Sequence, residues 1–195
     1  TLLMVFGLMM VLSATSIEAV NRGESPWAMF QKQFMWATFG MFAAWFTYRM
    51  PYHQWHKFAK YALWASYGLM ALPMVPSVGL VINGARAWVA LGPVRFQPSE
   101  ILKVTLLLYC ASVLSRRRAE MTDWRRTLKP VMTAWAITIA LCIVLQKDLG
   151  AAIVFTCIVM ATLFIAGAPI RWMSAMTISF LVVATGLVLT SSRLQ

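Results

Sequence analysis

The chain has 195 residues, 61% of them hydrophobic and 12% charged, with mean hydropathy +0.71 and a formal net charge of +11. Soluble domains carry about 25% charged residues, so a water-soluble globule is excluded, and disorder, which needs low hydrophobicity, goes with it. The apolar stretches run unbroken for roughly 17 to 20 residues instead of alternating over roughly ten, which excludes an outer-membrane barrel and predicts an all-α, polytopic membrane helix bundle.

About seven spans are predicted, near residues 1–18, 28–48, 61–80, 98–115, 130–146, 150–168 and 173–190, each long enough to cross roughly 30 Å of hydrocarbon. The first has neither a basic flank before it nor a cleavage site after it, so it reads as a retained span and not a signal peptide. Ser13, Thr15 and Ser16 near its end read as helix-packing groups. The connector 49–60 carries Arg49, Lys57 and Lys60, and 115–129 carries Arg116, Arg117, Arg118, Arg125, Arg126 and Lys129; both are expected in the cytoplasm. Connectors near 19–27, 81–97 and 146–149 then fall outside. The turn from Ala168 to Arg171 returns inside, and the last span delivers Ser191 to Gln195 to the outer face. Pro51 to Lys60 mixes Tyr52, Trp55 and Phe58 with His53 and His56, which predicts a short helix lying in the cytoplasmic interface.

Trp27, Trp55, Trp64, Trp88, Trp124 and Trp172 lie near predicted span ends, as belt tryptophans do. Because the basic residues cluster between the apolar runs and form no stripe on a soluble face, anionic phospholipid is the expected partner and nucleic acid is not. Cys110, Cys142 and Cys157 lie inside apolar runs, with neither disulfide-framework nor zinc-ligand spacing, and no metal-binding residues are predicted. Residues 1–195 show no repeat, low-complexity tract or soluble insertion and read as a single integral-membrane domain.

The stretch richest in chemistry is Asn83 to Lys103, NGARAWVALGPVRFQPSEILK. Asn83–Gly84 and Gly92–Pro93 favour tight turns. Arg86 and Arg95 beside Trp88 and Phe96 suit an anionic headgroup with an apolar or sugar-ring face, although on the residues alone two arginines snorkelling to lipid phosphate is the favoured reading. Pro98 fits a first helical position, and Glu100 falls in the first turn with Lys103 three residues on. A lysine this far into a span is unfavourable by about 3 kcal/mol at mid-bilayer and less near the end, so the Glu100–Lys103 pair is expected to face a polar cavity. The second polar knot, Gln146, Lys147, Asp148, Leu149 and Gly150, places Asp148 at the N-cap of the sixth helix. Packing of the fourth, fifth and sixth spans would let Glu100, Lys103, Lys147 and Asp148 converge on one outward pocket. No P-loop, GxSxG elbow or HExxH motif occurs.

At three segments the sequence resembles the SEDS family of shape, elongation, division and sporulation proteins: VLSATS (Val11 to Ser16), GARAWVALGPVRFQPSEILK (Gly84 to Lys103) and QKDLGA (Gln146 to Ala151). WRRTLKP (Trp124 to Pro130) looks more like the FtsW branch than the RodA branch. The resemblance implies a peptidoglycan glycosyltransferase that polymerises lipid II at the outer face of the bacterial cytoplasmic (inner) membrane, with undecaprenyl diphosphate as leaving group. It also implies a class B penicillin-binding protein and other division or elongation proteins as partners, and Mg2+ or Mn2+ as the candidate cofactor. Trp88, Glu100, Lys103 and Asp148 match family positions tied to activity. The supporting catalytic candidates are therefore Glu100, Lys103 and Asp148, and the substrate-binding candidates Arg86, Trp88, Arg95, Gln97, Ser99, Gln146 and Lys147. Ala87 and Lys147 depart from the family pattern of a polar or basic residue and a proline. The family has about ten spans, with its catalytic carboxylate in a later outer loop, so this chain is expected to be an amino-terminal portion, inactive alone, with that residue beyond Gln195. A precursor flippase and a non-enzymatic division scaffold are the alternative readings.

Overall fold

A computed structural model describes residues 2–21, 26–82, 84–92, 94–117 and 123–190. Asn83, Pro93, Arg118 and Ser191 to Gln195, which carry part of the turn and topology expectations, lie outside the described residues, as do the side chains of Thr15 and Ser16. The chain forms two compact units, Thr1–Tyr52 and His53–Gln195.

In the first unit, α1 (Leu2–Asn21) packs against α2 (Pro26–Arg49). Aromatic residues three apart on α2 meet as pairs: Trp27 with Phe30, Trp36 with Phe39 and Phe42 with Trp45, at centroid separations of 6.0, 6.3 and 5.9 Å. Arg49 in its last turn lies 5.3 Å above the Trp45 ring, a cation suited to both the indole face and the helix C-terminus.

The second unit opens with α3 (Tyr52–Leu69). Here the structure corrects two expectations. Pro51 to Lys60 is not a separate interfacial helix but the first half of α3, because nothing between Lys60 and Tyr61 breaks the helix. The span expected at 61–80 instead ends at Leu69. Pro73 enters a short 3-10 turn, Leu72–Met74, where its missing N–H and fixed φ stop an α-helix. The chain then forms a three-stranded antiparallel meander of β1 (Gly79–Ile82), β2 (Ala85–Leu91) and β3 (Val94–Phe96) in the order β1-β2-β3, so the helical bundle carries a small sheet on the connector between α3 and the next long helix. Gly84 and Gly92, at φ +79° and +61°, supply the left-handed corners.

Three long helical segments follow: α4 (Pro98–Arg116), α5 (Lys129–Ala140, extended by π turns at Trp124–Leu128 and Leu141–Gln146) and α6 (Leu149–Ala166). All three are long and apolar enough to cross a membrane, and α7 (Ile170–Thr190) contains a further apolar helix, Ile170–Gly186. Gly167, left-handed at φ +78°, ends α6 ahead of Pro169.

The core follows helical spacing. Leu102, Leu106, Cys110 and Leu114 form one stripe on α4, and Ala152, Phe155, Val159 and Leu163 one on α6; α4 and α6 pack on each other and α5 against both. Met173, Met176 and Phe180 bring α7 onto α6. Hydrogen bonds tie the helices at depth. Tyr67 donates to the Ala134 carbonyl at 2.8 Å and lies 3.1 Å from the Thr138 hydroxyl, Thr105 donates to Ser66 at 2.9 Å, and the Trp135 indole donates to Thr156 at 3.2 Å. Ile101, Val104, Val144, Ile153 and Ile165 point outward, as faces solvated by lipid do.

Candidate functional site

α4 begins where Gln97, in extended backbone, hands over to Pro98 at the first helical position. The Gln97 carbonyl accepts from the Glu100 amide at 3.0 Å. Lys103 Nζ meets Glu100 Oε1 at 2.7 Å, the i,i+3 pair expected from spacing. Lys103 is the more sheltered partner, with 28% of its side chain exposed against 60% for Glu100. Hydrocarbon penalises a lone ammonium, and the carboxylate one turn earlier neutralises it at the helix entrance.

The meander sits directly before this entrance. Alternation along β2 buries Ala87 and Val89 and turns Arg86 and Trp88 to the other face. Register adds to each face: Leu80 lies opposite Trp88 and Arg95 opposite Ala90 on the outer one, and Phe96 opposite Val89 on the buried one. Arg86, Trp88 and Arg95 therefore share one face, two cations beside an indole ring.

Asp148 caps α6 by accepting the Ala151 amide at 2.9 Å. Lys147 before it is exposed and left-handed, at φ +55°, an uncommon conformation for a residue with a side chain. Its place after the π turn lets the Asp148 amide reach the Cys142 carbonyl at 3.1 Å. Among the described residues no hydrogen bond or ion pair joins Glu100 or Lys103 to Lys147 or Asp148. Ser99 and Gln146 are fully buried. The Gln146 amide donates to Met70 Sδ at 3.3 Å, while its Oε1 and the Ser99 hydroxyl have no partner. Neither residue presents surface to a ligand from outside.

Among the described residues no group of three histidine, cysteine or carboxylate side chains could hold a metal ion. Glu100 Oε1 is engaged by Lys103 and Asp148 Oδ1 by the Ala151 amide.

Sequence reasoning missed the sheet, whose signal was the two-residue alternation of Arg86 and Trp88 with Ala87 and Val89. It also missed the Ser66–Thr105 and Tyr67–Thr138 contacts, which leave no trace in periodicity.

Residues 1–195 match the FtsW/RodA/SpoVE family, described as "Cell cycle protein". A probable peptidoglycan glycosyltransferase FtsW of Mycobacterium tuberculosis is 32% identical over 170 residues, 87% of this chain and 32% of that protein. Stage V sporulation protein E of Bacillus subtilis is 33% identical over 171 residues, 87% of this chain and 46% of that protein. The crystal structure of the rod shape determining protein RodA of Thermus thermophilus superposes with a TM-score of 0.67 at 27% identity, covering 92% of this chain and 58% of RodA. This chain thus spans about half or less of the length of these curated relatives. With the match running from the first residue to the last, and the apolar helices agreeing with a multi-pass membrane protein, the chain belongs to the FtsW/RodA/SpoVE family.

Proposed function

We propose that this chain is part of a peptidoglycan glycosyltransferase, a single integral-membrane domain of the bacterial inner membrane that polymerises lipid II at the outer face. The observation that carries the reading is the Glu100–Lys103 pair at the entrance of α4, following a sheet face that presents Arg86, Trp88 and Arg95. The names of the mycobacterial and sporulation relatives and the RodA superposition support it. A solved complex described as coordinating polymerisation and crosslinking by a peptidoglycan synthase, similar to this chain with a TM-score of 0.67 at 26% identity, supports a class B penicillin-binding protein as partner.

Sugar transfer needs a base to take the acceptor hydroxyl proton and cations to stabilise the departing diphosphate. Lys103 supplies a cation one turn inside the helix, oriented by Glu100, and Arg86 and Arg95 supply guanidinium groups whose planar forks match phosphate oxygens. Trp88 offers a flat apolar face to a sugar ring. Glu100, held by Lys103, and Asp148, engaged by the Ala151 amide, are proposed as supporting groups and not as the base.

The test uses the whole protein of which this chain is part, purified with its partner inactive for crosslinking, in a lipid II polymerisation assay. Lys103→Met is expected to abolish glycan chains while leaving membrane insertion and circular dichroism unchanged, and Asp148→Asn, which keeps the cap, to retain activity. Wild-type polymerisation by Lys103→Met would overturn the reading.

A further inference from the structure

From a cavity at the far end of α4, away from the Glu100–Lys103 pair, we infer a phosphate-binding site for the headgroup of an anionic phospholipid. The cavity measures about 240 Å³ and is ringed by Lys60 of α3 and by Arg116 and Arg117 at the end of α4. His56 and Ser112 form its inner side, bound to each other Nδ1 to Oγ at 2.9 Å, and Arg116 Nη2 reaches the His56 carbonyl at 3.4 Å. That contact draws the guanidinium across the mouth while occupying one of its five donors. Among the described residues no carboxylate lines the cavity, and Lys60, Arg116 and Arg117 have no ion-pair partner. Three cations around one small cavity repel one another until an anion enters, and two guanidinium forks with an ammonium suit phosphate oxygens.

The remaining wall selects the source of that phosphate. Tyr109, Val113 and Pro130 complete the lining, so the cavity is apolar on the side that leads along the helices. On α3 the neighbouring outer surface carries Phe58, Tyr61 and Trp64, all more than half exposed. A soluble anion would use only the cations, whereas a phospholipid uses both surfaces, phosphate on the basic rim and acyl chains along the apolar flank. Basic-residue asymmetry names the leaflet as the cytoplasmic one, and the site itself stands apart from the chemistry proposed at the outer face.

The whole protein of which this chain is part, in detergent, is titrated with diphosphatidylglycerol or phosphatidylcholine and bound lipid is counted by native mass spectrometry. Preferential retention of diphosphatidylglycerol is expected. At roughly fivefold in affinity per cation, Lys60→Ala with Arg116→Ala should weaken binding at least tenfold, and Lys60→Arg with Arg116→Lys should restore most of it. Arg125→Ala with Arg126→Ala removes the same charge from residues that do not line the cavity and should leave binding unchanged. If the first alanine pair fails to fold by circular dichroism, Arg117→Ala alone carries the test, with a fivefold loss expected. Equal binding of the two lipids, an equal loss in the Arg125/Arg126 control, or displacement of the lipid by millimolar inorganic phosphate would each overturn the inference. Polymerisation is not the readout, so failure here leaves the proposed activity standing.

Discussion

Gly79→Ala is the most informative single perturbation of the sheet that presents Arg86 and Trp88. A Cβ at Gly79 would fall inside the contact distance of the Pro73 carbonyl oxygen, with the Pro73 carbonyl carbon at 2.7 Å and Cα at 3.2 Å. Ordinary Cβ contacts begin at 3.4 Å, so β1 must retreat by about 0.7 Å from the carbon alone. Every opposing atom is backbone, and no side chain can swing aside. The retreat strains two hydrogen bonds of 2.9 Å, Gly79 amide to Val75 carbonyl and Ala90 amide to Val78 carbonyl. At about 1 kcal/mol net each, with an added penalty where an amide is left without a partner, the loss is about 2–3 kcal/mol. Gly68→Ala is the matched control, since a Cβ there meets nothing within 4 Å and the residue is helical. It should be neutral or stabilise by up to about 1 kcal/mol. Equilibrium unfolding in mixed micelles, followed by tryptophan fluorescence, measures both variants. A Gly79→Ala chain as stable as the Gly68→Ala chain would refute the claim that the Pro73 turn and β1 are locked together.

Three further outcomes are expected. Thr156→Val removes the acceptor of the Trp135 indole and should destabilise by about 0.6–1.7 kcal/mol, but by almost nothing in a Trp135→Phe background, as a double-mutant cycle will read. Trp124 and Trp172 stack at 4.3 Å, so alanine replacements of the two should show a coupling of about 0.5–1.5 kcal/mol in the same unfolding assay. Asp148→Ala should lose about 1 kcal/mol of stability through the α6 cap while Asp148→Asn loses only a small part of it, a contrast that chemical unfolding measures without reference to activity.

Most of the helices were legible in the sequence, and for several of them the ends carry chemistry. Pro98, Asp148 and the turn from Ala168 to Arg171 fixed α4, α6 and the start of α7 to within a few residues. α3 was misplaced because apolar content alone cannot distinguish a span from a turn followed by strands. Leu69 to Ile82 is as apolar as a span, and the prolines at 73 and 76 outweigh that content by removing amide donors. The Glu100–Lys103 pair was legible because i,i+3 spacing is a local property. Convergence with Asp148 depends on how the helices pack, which no local pattern encodes. The basic cavity escaped for the same reason: Lys60 and Arg116 lie on different helices, and each reads in isolation as a topology signal.

The sheet register is what turns these separate residues into a surface. Burial alternates from Arg86 to Ala90 although the pairing with β1 shifts between Leu80 and Ile82, so a slip of one residue would bring Ala87 and Val89 to the outer face and drive Arg86 and Trp88 toward the core. Burying an unpaired guanidinium there would be strongly unfavourable, and this holds the register from the side of composition. Geometry holds it from the other side, because Gly79 opposite Val89 is the position where β1 can pass the Pro73 carbonyl without a side chain. The two constraints are independent and select the same pairing. The presentation of Arg86, Trp88 and Arg95 is therefore set by a glycine and a proline that carry no functional group, and substitutions at either should perturb the face without touching its chemistry.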